Sequence, residues 1–508
     1  MAGRPTSQEP HASHESNRTL TEENTAADPA QEPLLGRRPN AHTDKTHHKP
    51  NIGRFQLLLV LLIQIAEPIT AKVIFPFVNQ FVRETGITGG DERKTGYYAG
   101  MIESLFFVTE SATVYHWGSA SDVYGRKPIL LVGLMLLGPA TLGFGMSRTF
   151  GMMLLFRAFQ GVCNGNIGVT KSVLVESAGT SDSSAIAYLF SLMSITWATG
   201  STLGPIIGGI LARPSERWPV FDTKLWRSYP YLLPCGTAAL LVLITLLIAS
   251  VSLKETNPAI LKKGTQLRPV DPELEPEGYG ALDSAPPPPP PQAPIPTERL
   301  LTKRTVIPLI NIAYLAFVQQ SVAVLTPLVL STSIEHGGLG MDPYEIGIVL
   351  GIWGLANGII QLLVSHRCIK RIGARTAYMI TFANQIGILL CFAGIAVRVR
   401  TVGRVDGVVW SLLVGYLALK TLTGIAYASI YVFVVDSATE STLGSINGLA
   451  QMVSSILRAL APAVSSSLYS VSLEKRYLGG TMVYWVLIAI TISGIWASAK
   501  LPKKMYRS

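Results

Sequence analysis

Glu67, Glu103, Glu110, Arg157, Lys171, Lys420 and Arg458 all fall inside strongly apolar runs of this 508-residue chain. If those runs cross a bilayer, each charge costs at least ~2.5–3.5 kcal/mol near the centre and calls for a function. Glu103 and Glu110 are seven residues apart and share one helix face. Arg157, Asn164 and Lys171 recur at the same interval and read as one polar stripe, expected to face a central cavity. Burial and a nearby cation act in opposite directions on a carboxylate's proton affinity. The expectation is therefore that Glu67, Glu103 or Glu110 binds a coupling proton, with Arg157 tuning it. Counting residues from the start of each run puts Glu67 and Glu110 near mid-depth and Glu103 near the outer surface. The alternative is a set of static salt bridges that hold helices together, and Lys171 is close enough to a span end to snorkel.

A second group would line the cavity. Trp353, Asn357 and Gln361 follow one another at i, i+4, i+8, and Gln319, Gln320, Asn384, Tyr427 and Tyr431 join Asn164, Lys420 and Arg458. Polar and aromatic side chains of this kind suit an amphipathic organic substrate. The same spacing also serves ordinary helix packing.

The elements that must carry these residues are membrane spans. Charged residues make up 15% of the chain and hydrophobic residues 48%, against about 25% charged in soluble domains. Twelve apolar runs are long enough to span a bilayer: about 55–81, 97–118, 129–147, 150–175, 186–211, 229–253, 305–331, 344–366, 376–397, 408–435, 444–470 and 480–500. Segments 1, 4, 10 and 11 are interrupted by charges or small residues. The predicted organisation is a disordered tail over 1–54, a six-helix half over 55–253, a Pro-rich linker over 254–304, a second six-helix half over 305–500, and a short C-tail over 501–508. The run Pro286–Pro291 is a polyproline spacer, and Leu34-Leu35 only loosely resembles a sorting signal. The halves repeat weakly: Val175-Glu176-Ser177-Ala178 matches Val435-Asp436-Ser437-Ala438, and Pro205 matches Pro462. Duplicated halves mark transporters.

The net charge of +10 does not point to nucleic acid, because Lys and Arg gather just outside the apolar runs. Their bias toward the tail, the linker and alternate loops places both termini in the cytosol. The four Cys form no CxxC, His47-His48 is an isolated pair, and no phosphate-binding GxxxxGK sequence or nucleophile constellation occurs. No metal, cofactor or enzymatic activity is expected.

Three motifs sharpen the reading. The loop after segment 2 runs Gly118-Ser119-Ala120-Ser121-Asp122-Val123-Tyr124-Gly125-Arg126-Lys127-Pro128, eleven residues with one acid and two bases. Its glycines allow a tight turn and close helix approach. It resembles the GxxxDxxGRK/R signature of the major facilitator superfamily. Segment 4 has Arg157-Ala158-Phe159-Gln160-Gly161, similar to that superfamily's RxxQG motif. In segment 5, Gly200, Gly204, Pro205, Gly208 and Gly209 resemble the GxxxGPxxGG motif of drug:proton antiporters, and Pro205 is expected to kink its helix. The stretch Gly96–Phe107 with Trp117-Gly118, together with Glu67-Pro68, resembles the fungal and plant zinc-induced-facilitator-like group, whose name does not imply direct movement of zinc. The second copy of the loop, Ile369-Lys370-Arg371-Ile372-Gly373-Ala374-Arg375, has Lys370 where Asp122 stands, so a latch would be asymmetric.

The resemblance implies an all-α integral membrane protein of twelve transmembrane helices in two pseudo-repeated halves. It implies a monomeric, proton-coupled antiporter of a small organic molecule, working by alternating access in a vacuolar or plasma membrane. A facilitator or symporter of the same fold, or a non-transporting nutrient sensor, are the rival readings. The partners expected are the substrate, protons and the lipid bilayer. A latch of Gly118, Asp122, Gly125, Arg126, Lys127 and Glu176, with Asp436 in the second half, would close the cytosolic side, Arg126 pairing with Glu176 and Asp122 facing the start of segment 11 near residues 441–445.

Overall fold

The computed structural model describes residues 54–178, 183–257, 260, 301–437 and 443–502. They belong to the second of two compact units, 48–508; the first, 1–47, lies outside the described residues, as do Leu34-Leu35 and the run Pro286–Pro291. The described elements are helices and turns. The first half holds α1 (Arg54–Lys72), α2 (Val78–Glu84), α3 (Thr95–Tyr124), α4 (Arg126–Gly145), α5 (Phe150–Asn164), α6 (Ile167–Ala178) and α7 (Ser183–Ile210). Two short helices, α8 (Pro214–Arg217) and α9 (Lys224–Ser228), lead to α10 (Leu232–Ser252). The second half holds α11 (Lys303–Ser331), α12 (Pro343–Ile372), α13 (Ala374–Val402), α14 (Gly407–Thr421), α15 (Thr423–Ser437), α16 (Leu443–Lys475) and α17 (Met482–Ser498).

Each of the twelve apolar runs contains helix. Among the described residues, eight stretches are long and apolar enough to cross a membrane by length and composition, and Met482–Ser498 is a shorter apolar helix. The runs that miss this standard are those of α3, α5 with α6, and α7. Two of them carry the interior charges: α3 holds Glu103, Glu110 and Asp122, and the α5–α6 run holds Arg157, Lys171 and Glu176.

Three of the four runs interrupted by charges or small residues are broken in the backbone. Residues 73–77, with Pro76 among them, form turns between α1 and α2; Gly165-Asn166 separate α5 from α6; Leu422 separates α14 from α15. Segment 11 is not broken: α16 runs through Pro462, as α7 runs through Pro205. A break inside a span frees backbone carbonyls, and these need donors from neighbouring helices.

The expected eleven-residue loop after segment 2 is much shorter. α3 continues to Tyr124 and α4 starts at Arg126, so Gly125 alone joins them. Gly373 does the same between α12 and α13. Both sit at positive φ, +107° and +79°, where a side chain would be strained. Two 30-residue helices ended by the same device support aligning the halves at Gly125 and Gly373.

Each half has two apolar clusters, one toward its Gly125 or Gly373 end and one toward the other. In the first half, Leu59, Ile63, Leu134 and Val173 belong to one, and Ile74, Phe77, Ile102 and Phe144 to the other. Between them lies a polar layer.

Candidate functional site

That layer is built where α1 and α5 approach their breaks. Arg157 on α5 is 0% exposed. Its Nη2 donates to Glu103 of α3 at 2.8 Å and to the Ala71 carbonyl at 3.4 Å, its Nη1 donates to Gln160 at 2.8 Å, and the guanidinium lies 4.2 Å from the centre of the Phe106 ring. Lys72 stands 3.9 Å from the other Glu103 oxygen. Glu103 is thus buried and doubly paired, just over two turns after the start of α3 at Thr95.

Glu67 and Glu110 are held differently. Asn164, the last residue of α5, donates from Nδ2 to Glu67 at 2.9 Å, and Glu110 lies near enough to act on Glu67 electrostatically. Among the described residues, no basic side chain lies within ion-pair distance of either carboxylate. Lys171 on α6 and Arg458 on α16 act on both through space. The stripe of Arg157, Asn164 and Lys171 is therefore split. Arg157 turns into the first half toward Glu103, Asn164 holds Glu67, and Lys171 lies beyond the break at Gly165-Asn166.

The second half answers with cations and rings. Lys420 Nζ sits 4.3 Å from the Trp353 ring centre and 5.4 Å from that of Tyr416, and reaches Thr326 Oγ1 at 3.5 Å. Thr326 and Tyr416 share a hydrogen bond of 2.6 Å. Arg458 donates to the Tyr427 hydroxyl at 3.3 Å. Among the described residues neither cation has a carboxylate within ion-pair distance. Gln361 and Asn384 are occupied with backbone, donating to the Thr421 and Leu419 carbonyls next to the break at Leu422. Gln319, Asn357 and Tyr431 are half-buried, and Gln320 is buried with an unpartnered Nε2.

At the Gly125 end, Arg126 pairs with Glu176 at 2.7 Å and with Asp122 at 2.6 Å. Residues 438–442, and the side chains up to 445, lie outside the described residues, so the proposed partner of Asp122 does too. Gly118 has nothing within 4 Å of a Cβ position and makes no close helix approach. Asp436 uses its carbonyl to accept from Arg304.

Sequence reasoning missed the stretch that follows α10. Glu255 accepts from the backbone N–H of Arg126 at 2.9 Å and of Lys127 at 3.0 Å, and so caps the N-terminus of α4. Asn257 donates to the Ser121 and Asp122 carbonyls at the end of α3, and Thr256 donates to Glu176 at 2.9 Å. Burial works to raise the Glu255 pKa, but the backbone donors of Asn257, Arg126, Lys127 and Thr256 prevail and hold it below the ordinary carboxylate range. The first residues of the expected linker are therefore ordered.

The halves meet at the opposite end. Ser104 of α3 accepts from the Ala463 N–H at 2.9 Å, Asn79 donates to Ser331 at 3.0 Å, and Arg217 reaches Asp342 at 3.2 Å. Glu92 takes Arg83 at 2.6 Å and the Ser333 N–H at 3.1 Å. The α7 glycines serve two contacts there. Gly200, Gly204 and Gly208 lie against Pro68, Ile69, Lys72 and Val73 of α1 and its turn, while a Cβ on Gly209 would stand 2.5 Å from Gly347 Cα on α12.

The model of the family described as Major Facilitator Superfamily matches residues 60–462. The chain belongs to the major facilitator superfamily. Among the superfamily members it resembles is the efflux pump azaK of Aspergillus niger, 30% identical over 473 residues, 89% of this chain and 91% of the relative. Another is the Arabidopsis thaliana protein ZINC INDUCED FACILITATOR-LIKE 1, 25% identical over 456 residues, 87% of this chain and 90% of the relative. The crystal structure of the POT family transporter PepTSo superposes with a TM-score of 0.62 at 11% identity, covering 88% of this chain and 97% of that one. As a major facilitator protein the chain is a multi-pass membrane transporter, not an enzyme, and resembles the drug-efflux type within the superfamily.

Proposed function

We propose that this transporter is a proton-coupled antiporter that moves a small organic molecule by alternating access, out of the cell or into a vacuole. One observation carries the reading: Glu67, held by Asn164, and Glu110 act on each other in the polar layer and neither has an ion-pair partner among the described residues, whereas the neighbouring Glu103 is fixed by Arg157 and Lys72. Two buried carboxylates that act on each other cannot both ionise cheaply, so one proton between them is exchangeable. Glu103, held by two cations, is the poorer carrier. The broken helices and the small-residue contact between α7 and α12 suit a rocking motion of one half on the other. The expected topology has both termini and the Gly125 end in the cytosol, so the described state would be closed on the far side. The likeness to azaK, an efflux pump, supports export.

Comparing metabolites in cells that overexpress or lack the protein identifies the substrate. Flux of that metabolite in proteoliposomes, with and without a pH gradient, then tests the reading. Accumulation against a gradient only when a pH difference is imposed is expected. Equal flux without it indicates a facilitator, and binding without flux a sensor.

A further inference from the structure

Lys420 and Arg458 are two half-buried cations with no acid within ion-pair distance among the described residues, Arg458 acting on Glu67 and Glu110 only at longer range. The surrounding groups offer little charge compensation. Lys420 rests against the rings of Trp353 and Tyr416 and the hydroxyl of Thr326; Arg458 has Tyr427. Trp353 Nε1 is buried and has no acceptor. This wall therefore presents cations, a spare N–H and π faces. The charge balance of the whole layer points the same way. Lys72, Arg157, Lys171, Lys420 and Arg458 stand against Glu67, Glu103 and Glu110, so the bases exceed the acids by two residues. Arg157 and Lys72 are spent on Glu103. Lys171 and Arg458 act on the Glu67–Glu110 pair only at a distance, and Lys420 faces no carboxylate. An unpaired charge in a low-dielectric site is unfavourable until an opposite charge arrives. Rings beside a cation add a flat apolar surface for a ligand body.

We infer that the second half holds the substrate subsite and that this subsite takes an organic anion, a carboxylate, sulfonate or phosphate carried on an aromatic or apolar body. The anionic group lies between Lys420 and Arg458, and the body stacks on Trp353 and Tyr427. This rests on the transport reading for the cavity's role, but equilibrium binding tests it without a pH gradient, a transport direction or proton coupling. A failure of antiport and a failure of this assignment are thereby distinguishable.

Fluorescein and rhodamine 6G share a xanthene and phenyl skeleton and differ in charge sign. Fluorescence anisotropy of each dye with the purified full chain in detergent, at a pH where fluorescein is ionised, measures binding directly. Fluorescein is expected to bind at least about tenfold more tightly than rhodamine 6G. Lys420→Gln and Arg458→Gln are each expected to weaken fluorescein about tenfold while leaving rhodamine 6G unchanged or improved. Lys420→Arg and Arg458→Lys keep the charge and are expected to retain fluorescein binding, which separates recognition from misfolding; thermal unfolding of each variant is followed alongside. Equal or tighter binding of rhodamine 6G overturns the assignment, as does binding of neither dye. Unchanged fluorescein affinity in both Gln variants also overturns it, and would make the two cations partners of Glu67 and Glu110 in another conformation.

Discussion

Arg157 in the first half and Lys420 in the second occupy comparable places, each near a break in its half's discontinuous helix run, and they are served in opposite ways. Arg157 has Glu103 and Gln160, both at 2.8 Å, with Lys72 on the far side of Glu103. Lys420 has two rings and a threonine hydroxyl. The ends of the halves differ likewise. Arg126 is gathered by Asp122, Glu176 and the Glu255 cap, while the second copy has Lys370 in place of the acid, and its Arg375 donates to the Ala499 carbonyl. A closed ion pair stabilises architecture and is indifferent to cargo. A charge without a partner costs stability and responds to whatever neutralises it. The two halves thus differ, the first pairing its buried cation with an acid and the second leaving Lys420 without an ion-pair partner among the described residues.

The largest effect that would sharpen this contrast comes from Glu103→Gln. It leaves Arg157 buried without an acid and is expected to cost about 3–5 kcal/mol, whereas Lys420→Gln should change stability by less than about 1 kcal/mol. Unfolding of both in detergent checks this, and an equal loss in the two would remove the distinction between halves. Next comes the contact that joins them. Gly209→Val drives a side chain into the Gly347 backbone and is expected to cost about 1–3 kcal/mol, while Gly358→Val, with nothing within 4 Å of its Cβ position, should cost less. The same unfolding assay reads both.

A smaller effect is expected at the end that carries the signature motif. Glu255→Ala removes the cap of α4, worth about 1 kcal/mol, and hydrogen exchange at the Arg126 and Lys127 amides should accelerate with no change at Arg375. Because the folded pKa of Glu255 is depressed, its contribution is present above the ordinary carboxylate value of about 4.3 and fades as pH falls through the lower folded value. Relative to the intrinsic exchange rate at each pH, acid should therefore lower the protection of these two amides in the wild type but not in the variant. The smallest effect is the difference between the one-residue connectors. Alanine at either Gly373 or Gly125 enters a backbone region essentially reserved for glycine, at about 1–3 kcal/mol, but Gly373→Ala meets open space, whereas Gly125→Ala must also displace the Glu255 carboxylate, 2.6 Å from the Cβ position. If the two substitutions cost the same, Glu255 is not part of the first connector.

Much of this was legible in the residues. The Arg126–Glu176 pair follows from the motif, and the breaks at 73–77, Gly165-Asn166 and Leu422 fall in runs interrupted by charges or small residues. Partner choice was not legible. Arg157 and Glu103 are 54 positions apart, and helix packing rather than spacing decides that Arg157 meets Glu103 and leaves Asn164 to Glu67. Glu255 was invisible because it lies outside every apolar run, in residues that composition assigns to the linker. The RxxQG motif did name Gln160, and its hydrogen bond to Arg157 shows what that spacing does.

Glu110→Gln tests the proposed proton pair of Glu67 and Glu110 most directly. In proteoliposomes under an imposed pH gradient, with the substrate identified from cells, the variant is expected to lose gradient-driven accumulation. Exchange of labelled for unlabelled substrate should continue, because the amide keeps the side chain's size and polarity but cannot carry a proton. Full gradient-driven accumulation by both Glu110→Gln and Glu67→Gln would contradict the assignment of the coupling proton to this pair.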